Sequence, residues 1–239
     1  MRNNWPLIKV CGIQTVDEAI LAAKSGANTI GLLLGLTHRA EDKIDAERGA
    51  GITRFMRDAF PDVRIVMVTH LLVPMGVERI AKGVGVDAIQ IHDDMTVENV
   101  GHLRTRMPGV EIFKAIHIDG AGPEAVSRVV AKAAEYAPYV DAFFTDSKSV
   151  DPDGAVRIGG TGKRHDTNVA RLLIEAFPEK PVVLAGGLNP GNVAQAIQDV
   201  CPAGIDANSG LENERGEKDF EKMVAFADAG KIHLRMIEV

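Results

Sequence analysis

Eight short runs of β-branched and aliphatic residues recur along the chain, and a stretch of helical character follows each of them. The runs cover residues 7–10, 29–34, 64–68, 88–91, 111–116, 142–145, 182–184 and 204–207. Between them, stretches such as Val16–Ser25 and Val193–Val200 repeat apolar residues at spacings of three and four, which is the helical period. This alternation predicts a parallel β-sheet covered by helices.

Eight strand–helix repeats fit a (β/α)8 barrel, or TIM barrel, which typically takes about 250 residues. The chain has 239 residues, so we expect a single α/β domain over residues 1–239. Because periodicity does not show whether a sheet closes, a doubly wound open sheet remains the alternative. A long connection follows the sixth run, at about residues 147–166, and is predicted to be a lid-like loop.

The predicted helix ends carry recognisable capping residues. Gly26, Gly85 and Gly230 follow helical stretches, where a left-handed C-cap favours glycine. Thr96 and the pair Asn189 and Pro190 stand where an N-cap and a first helical turn are expected.

Composition excludes several classes of protein. Lys and Arg number 27 and Asp and Glu 33, so the net charge is −6 and we expect no nucleic-acid partner. The longest apolar run, residues 30–36, is far below the roughly 18 residues of a membrane span, and no signal peptide is recognisable. Two cysteines do not make a disulfide scaffold, and Cys201 is expected to be a packing residue. We therefore expect a cytoplasmic protein that acts on a small molecule, as a monomer or homodimer.

In a barrel of this kind, functional residues lie where the strands end. Reactive or anion-binding residues follow most of the predicted strands: Cys11, Arg39, His70, His92, Asp93, Asp94, His117, Asp146, Gly186, Gly187, Asp206, Ser209 and Gly210. The glycine-containing segments 184–190 and 205–212 end the seventh and eighth strands, where barrels often bind phosphate through backbone N–H groups. We expect a phosphate site there, although both segments would also serve as ordinary tight turns.

A third glycine-rich segment, residues 159–163, ends in Lys163. It is not a nucleotide-binding P-loop, because Arg157 stands where the motif needs its first glycine and Arg164 where it needs Ser or Thr. We expect Lys163 to approach an anionic substrate from the lid. A solvated loop without a function is the alternative.

Cys11 and Asp146 form a candidate acid–base pair, since they end the first and sixth predicted strands. A thiol can act as a general base if neighbouring charge lowers its pKa. A carboxyl group in an apolar mouth, here with Phe143 and Phe144 nearby, can stay protonated and act as a general acid. Taken singly, the cysteine would more often be a buried small hydrophobe and the aspartate a helix cap.

The same residues carry a resemblance to a known family. Residues 9–13, 90–92, 114–116, 146–148, 159–163, 184–190 and 206–212 resemble, in order, the motifs of phosphoribosylanthranilate isomerase. The matches extend from the first predicted strand to the last helix.

The resemblance implies an enzyme of tryptophan biosynthesis that needs no cofactor and no metal. The family opens the furanose ring of a phosphoribosyl anthranilate and rearranges the aminoaldose to an aminoketose. Carried over to this sequence, Asp146 is the general acid and Cys11 the general base, while Arg39 pairs with the anthranilate carboxylate. Gly186, Gly187, Ser209 and Gly210 hold the phosphate, and His92, Lys163 and Asp206 are further substrate-binding residues.

The sequence departs from the family pattern around the aromatic half of the substrate. An aromatic–proline–basic–serine run is absent before Arg39, His70 replaces an asparagine, and His117 stands where an arginine is common. These changes leave open a paralogue that isomerises a different phosphorylated amino-sugar.

Two alternatives belong to other classes of protein. His70, His92, His117 and Asp206 could ligate zinc or manganese, as in metal-dependent phosphate-sugar epimerases. The chain could also be a non-catalytic sugar-phosphate-binding protein, although the presence of both Cys11 and Asp146 argues against this.

Overall fold

A computed structural model provides the fold and describes residues 5–37, 42–118, 123–150, 156–158 and 167–234. The strands are β1 (Leu7–Val10), β2 (Thr29–Leu33), β3 (Arg64–Thr69), β4 (Ala88–Ile91), β5 (Glu111–Ile118), β6 (Ala142–Val150), β7 (Val156–Ile158), β8 (Val182–Leu184) and β9 (Gly204–Ala207). The α-helices are α1 (Val16–Ser25), α2 (Ala46–Ala59), α3 (Pro74–Val84), α4 (Val97–Arg106), α5 (Pro123–Tyr136), α6 (Thr167–Ala176), α7 (Val193–Val200) and α8 (Phe220–Leu234).

Eight of these strands form a closed parallel barrel. Their order is β5-β4-β3-β2-β1-β9-β8-β6, and β5 also pairs with β6, which joins the two ends of the sheet. The predicted (β/α)8 barrel is therefore confirmed, and the open-sheet alternative is wrong. Within the described part of the chain, no helix is long and apolar enough to cross a membrane.

Side-chain alternation along each strand separates two apolar layers. On β1, Ile8 and Val10 point outward into the core between barrel and helices, whereas Leu7 belongs to the cluster inside the barrel. The floor of the interior includes Phe113 and Phe144, which stack with ring centroids 5.3 Å apart. Because successive side chains on a strand face opposite ways, Lys9 and Cys11 point into the barrel together with Leu7.

The segment predicted as a lid-like loop is partly strand. β6 continues to Val150 and pairs antiparallel with β7, with Lys148 opposite Ile158. The prediction of a loop over residues 147–166 is therefore wrong for residues 147–150 and 156–158, because the two halves of the segment pair their backbones. Residues 151–155 and 159–166 of the predicted lid lie outside the described residues.

Three of the predicted capping residues are confirmed. The Thr96 side chain accepts a hydrogen bond from the backbone N–H of Asn99 at the start of α4. Gly26 and Gly85 end α1 and α3 with φ of 101° and 79°, a conformation that residues with a Cβ rarely adopt.

Three other expectations are wrong. Gly230 lies inside α8, where a Cβ would come within 3.0 Å of Ile205 and Ile8, so it permits close helix–barrel packing instead of ending a helix. Helix α7 begins after Asn192 and not at Asn189, because Asn189 and Pro190 belong to the preceding turn. Cys201 is exposed and forms the left-handed C-cap of α7, so it does not pack in the core.

Candidate active site

A cleft opens at the carboxyl ends of the barrel strands. Eight of the predicted site residues line it: Cys11, His92, Asp146, Gly186, Gly187, Asp206, Ser209 and Gly210. The other two, Arg39 and Lys163, lie outside the described residues. The cleft therefore brings the predicted acid–base pair together with both glycine-containing segments.

Several residues of the cleft were not predicted as site residues. Asp42, Gln90 and Asn208 contribute polar groups to its lining. Leu33, Leu36 and Val68 form an aliphatic wall of the cleft. Asp42 lies 31 residues from Cys11 in sequence, so no local motif indicates that it reaches the cleft.

Cys11 lies immediately beyond β1 and is nearly buried, with 7% of its surface exposed. Burial raises the pKa of its thiol to about 11, and the ammonium group of Lys9 opposes this shift only in part. The neighbouring positive charge that the sequence argument required is therefore present. In the free protein this charge does not lower the pKa of Cys11 below its usual value, because desolvation of the thiolate is the larger effect.

Lys9 pairs with Asp206 across the β1–β9 interface, where the two residues are register partners. The Lys9 Nζ atom lies 2.8 Å from Asp206 Oδ2, and no part of Lys9 is exposed. Burial by itself would lower the pKa of Lys9, but Asp206 and Cys11 outweigh it and raise the pKa, which keeps the lysine charged. A lysine within an apolar strand was the sequence signal for this pair, and our sequence interpretation did not use it.

Asp146 projects from β6 into the cleft and is 7% exposed. Its Oδ2 atom lies 3.5 Å from His92 Nε2. The apolar surroundings predicted from Phe143 and Phe144 are half correct. Phe144 faces the barrel interior like Asp146, whereas Phe143 points outward and packs against Phe177 with ring centroids 5.3 Å apart.

Three histidines form one wall of the site. The rings of His70 and His92 have centroids 4.8 Å apart, and those of His92 and His117 are 4.9 Å apart. A ring nitrogen of His117, Nε2, lies 2.6 Å from the carbonyl oxygen of His92. Burial, then the neighbouring His117 and His70, hold the pKa of His92 well below its usual value. His92 is therefore neutral at pH 7 and can donate or accept a hydrogen bond.

A possible set of metal ligands differs from the one that the sequence suggested. Potential ligand atoms of His92, His117 and Asp146 all lie within 4.8 Å of one another. Neither His70 nor Asp206 belongs to this group, and Asp206 pairs with Lys9 instead. Two imidazoles and a carboxylate are chemically suited to zinc.

The phosphate expected at the last two barrel strands has a matching backbone geometry. Gly186 and Gly187 adopt φ of 82° and 65°, and a Cβ on Gly210 would lie 2.0 Å from the Leu188 carbonyl oxygen. Among the described residues, no acceptor is found for the backbone N–H groups of Gly186, Gly187, Ser209 or Gly210. Unfilled N–H groups on adjacent loops are the usual donors for a phosphate.

The loop after β9 is held by a polar network beneath it. Asn208 donates through Nδ2 to Asp42 Oδ2 at 2.6 Å and accepts at Oδ1 from Lys218 Nζ at 2.6 Å. Lys218 also pairs with Glu212 at 2.6 Å and is 8% exposed. These contacts fix Ser209 and Gly210 in place. Nothing in the sequence indicated the contribution of Lys218.

The comparisons with known proteins agree with this geometry. The sequence model for N-(5'-phosphoribosyl)anthranilate (PRA) isomerase matches residues 8–229. The chain belongs to this family.

Similar relatives include N-(5'-phosphoribosyl)anthranilate isomerase 2 of Methanosarcina mazei, 36% identical over 94% of this chain and 93% of the relative. The N-(5'-phosphoribosyl)anthranilate isomerase of Halobacterium salinarum is 34% identical over 92% of this chain and 93% of the relative. The crystal structure of phosphoribosyl anthranilate isomerase from Thermotoga maritima superposes with a TM-score of 0.77 at 26% identity, covering 94% and 98% of the two chains. The family resemblance read from the sequence is thereby confirmed.

The buried thiol leads to a prediction about its reactivity. In a Cys201→Ser variant, Cys11 is the remaining cysteine. Because only the thiolate reacts and the pKa of Cys11 is about 11, alkylation by iodoacetamide should accelerate about tenfold per pH unit between about pH 7 and pH 10. The Cys11→Ser variant, which retains the exposed Cys201, is the control for the reagent. A rate that levels off by about pH 8 would contradict the raised pKa.

Proposed function

We propose that this protein is an N-(5'-phosphoribosyl)anthranilate isomerase and catalyses the Amadori rearrangement of its substrate in tryptophan biosynthesis. The main support is that Cys11 and Asp146 line the same cleft as the backbone N–H groups of Gly186, Gly187, Ser209 and Gly210, in a chain of this family. The proposal includes a cytoplasmic location, since the reaction uses a small phosphorylated metabolite.

Asp146 acts as the general acid in the first step. It delivers a proton to the furanose ring oxygen as the bond from C1 to that oxygen breaks, and the electron pair of the anilino nitrogen forms the C1–N double bond of a Schiff base. The position of His92 Nε2, 3.5 Å from Asp146 Oδ2, supports a role for His92 in orienting this carboxyl group. His92 is neutral and so adds no charge that would favour loss of the proton before the reaction.

Cys11 acts as the general base in the second step. It takes the proton from C2, and the electron pair of the C2–H bond forms the C1–C2 double bond of an enolamine. The enolamine then gives the ketone when C1 gains a proton and the C2 hydroxyl loses one. After turnover, Cys11 holds one extra proton and Asp146 lacks one, so exchange with water restores both groups.

The two ends of the substrate have separate supports in the cleft. The phosphate is bound by the N–H groups of Gly186, Gly187, Ser209 and Gly210, and Lys163 is proposed to add positive charge. Asp206 Oδ1 is buried without a hydrogen-bond partner among the described residues, which suits a substrate hydroxyl. At the other end, the aliphatic wall of Leu33, Leu36 and Val68 suits the face of an aromatic ring. Arg39 is proposed to bind the carboxylate of that ring.

The activity is tested by rescue of a tryptophan-requiring strain that lacks this isomerase. The wild-type chain and a Cys201→Ala control should restore growth, whereas Cys11→Ala and Asp146→Asn should not. For purified protein we expect each of the latter substitutions to lower kcat by about 10²–10⁴-fold, equivalent to about 3–5 kcal/mol, because each removes one proton transfer.

The outcomes distinguish the alternatives. Full activity of either variant would contradict the assigned mechanism. Failure of soluble wild-type protein to rescue growth would instead favour a paralogue that acts on a different phosphorylated amino-sugar.

The second candidate function is a metal-dependent epimerase, which the grouping of His92, His117 and Asp146 favours. Under our proposal, dialysis against a chelator leaves kcat unchanged, because proton transfer by Cys11 and Asp146 needs no Lewis acid. Elemental analysis of the purified protein is the accompanying measurement. Near-stoichiometric zinc or manganese, together with loss of activity on chelation and recovery on metal addition, would favour the epimerase.

A further inference from the structure

The end of the Lys9 side chain and the sulfur of Cys11 meet inside the barrel. Lys9 lies on β1 and Cys11 follows directly after it, two positions along on the same inward face. Gly31 of the neighbouring strand β2 lies beside both side chains. A Cβ on Gly31 would lie 2.8 Å from Cys11 Sγ, 3.0 Å from Lys9 Cε and 3.1 Å from Lys9 Nζ. The missing side chain of Gly31 therefore leaves the space in which the ammonium group approaches the thiol.

The Lys9 ammonium group is held on two other sides. Its Nζ atom lies 2.8 Å from Asp206 Oδ2, and it stands 5.6 Å from the centroid of the Phe144 ring. Lys9 is fully buried and Asp206 is 6% exposed. A buried ammonium group in this position is strongly constrained, because leaving the carboxylate would cost most of its electrostatic stabilisation.

The charged groups around Cys11 act in opposite directions. Lys9 from β1 lies beside the sulfur and its charge favours the thiolate, whereas Asp206 from β9 and Asp42 from the segment after β2 disfavour it. Gly31, on the adjacent strand β2, brings no charge. Lys9 is thus the cation that the described structure places next to the sulfur, and Asp206 is the anion that shares it.

We propose that Lys9 and Asp206 are positioning residues for Cys11: the ammonium group stabilises the Cys11 thiolate, and the carboxylate, by pairing with the same ammonium group, limits that stabilisation. This inference rests on the proposed function, in which Cys11 is the base. The proposal gives this buried ion pair a role in catalysis in addition to its role in packing.

This arrangement determines which group holds the proton at each step. Cys11 loses its thiol proton to water in the open cleft and becomes a thiolate beside Lys9. It then takes the C2 proton of the substrate and is a thiol again, while the electron pair of the C2–H bond stays in the enolamine. Lys9 remains an ammonium ion throughout, as the raised pKa of its amine indicates.

The shared cation has a measurable consequence, because the two charges should move the titration of Cys11 in opposite directions. A Cys201→Ser background leaves Cys11 as the remaining thiol, and NMR of an isotope-labelled cysteine β-carbon follows its ionisation. Asp206→Asn removes the competing anion and should lower the titration midpoint by at least about one pH unit, a tenfold gain in thiolate. Lys9→Met keeps a similar shape without the charge and should raise the midpoint.

The double variant Lys9→Met/Asp206→Asn guards against misfolding of the single variants, because it leaves no uncompensated buried charge. Its midpoint should lie between those of the two single variants. Opposite shifts in the single variants support the proposal. If one single variant does not fold, a double-variant midpoint below that of Lys9→Met, or above that of Asp206→Asn, supports it. Shifts in the same direction, an unchanged midpoint, or a double variant outside the expected interval would overturn it, since a merely structural role gives no reason for opposite signs.

Measurements of kcat distinguish failure of the positioning role of Lys9 from failure of the proposed isomerase function. In active protein, Lys9→Met should lower kcat at neutral pH at least about tenfold and move the rising limb of the kcat profile to higher pH, with KM changed less than about threefold. If the thiol titrates as expected but the parent protein has no isomerase activity, the proposed function fails while the assignment of the charges stands. If the parent is active and Lys9→Met leaves its pH profile unchanged, the positioning role fails alone.

Discussion

The hydrogen-bonded pairing of β5 with β6 is the contact on which the site depends. In an open sheet these two strands would lie at opposite edges, and the residues at their ends would be far apart. Their parallel register sets His117 opposite Asp146 and closes the ring of strand ends around one cleft. The general acid proposed on β6 and the general base proposed beyond β1 therefore face the same small volume because the barrel is closed.

Closure of the barrel also brings charged side chains together in its interior, in a chain whose net charge is −6. Inside the barrel, Lys9 and Asp206 neutralise each other at the β1–β9 contact, and His92 stays neutral because it is buried among other histidines. Among the described residues that line the cleft, none is a lysine or an arginine. We propose that backbone N–H groups, together with Arg39 and Lys163, which were assigned from the sequence, attract the phosphorylated substrate.

Much of the fold could be predicted because strand and helix periods are local properties. The runs 7–10, 88–91, 182–184 and 204–207 match β1, β4, β8 and β9 residue for residue. Closure could not be deduced from periodicity, and the β6–β7 hairpin was missed because pairing across an intervening loop leaves little local signal. Gly230 was misread for a related reason: its small size serves contact with Ile205 and Ile8, which are remote in sequence.

Cys11 and Asp146 could be placed in the candidate site from the sequence, because each is a reactive residue type at the end of a predicted strand. The site was less predictable where function depends on several elements. The raised pKa of Cys11 comes from burial by the whole barrel and from Lys9 and Asp206 together. Likewise, the support of Asn208 by Asp42 and Lys218 joins segments more than 160 residues apart in one case. Such contacts exist only after the chain has folded.

In the proposed mechanism, phosphate binding and proton transfer both occur in this one cleft. The most direct measurement is a crystal structure with a reduced, non-reactive analogue of the aminoketose product. We expect phosphate oxygens within hydrogen-bonding distance of the N–H groups of Gly186, Gly187, Ser209 and Gly210, and the C2 atom beside Cys11 Sγ. A phosphate bound elsewhere, or a C2 atom out of reach of Cys11, would contradict this mechanism.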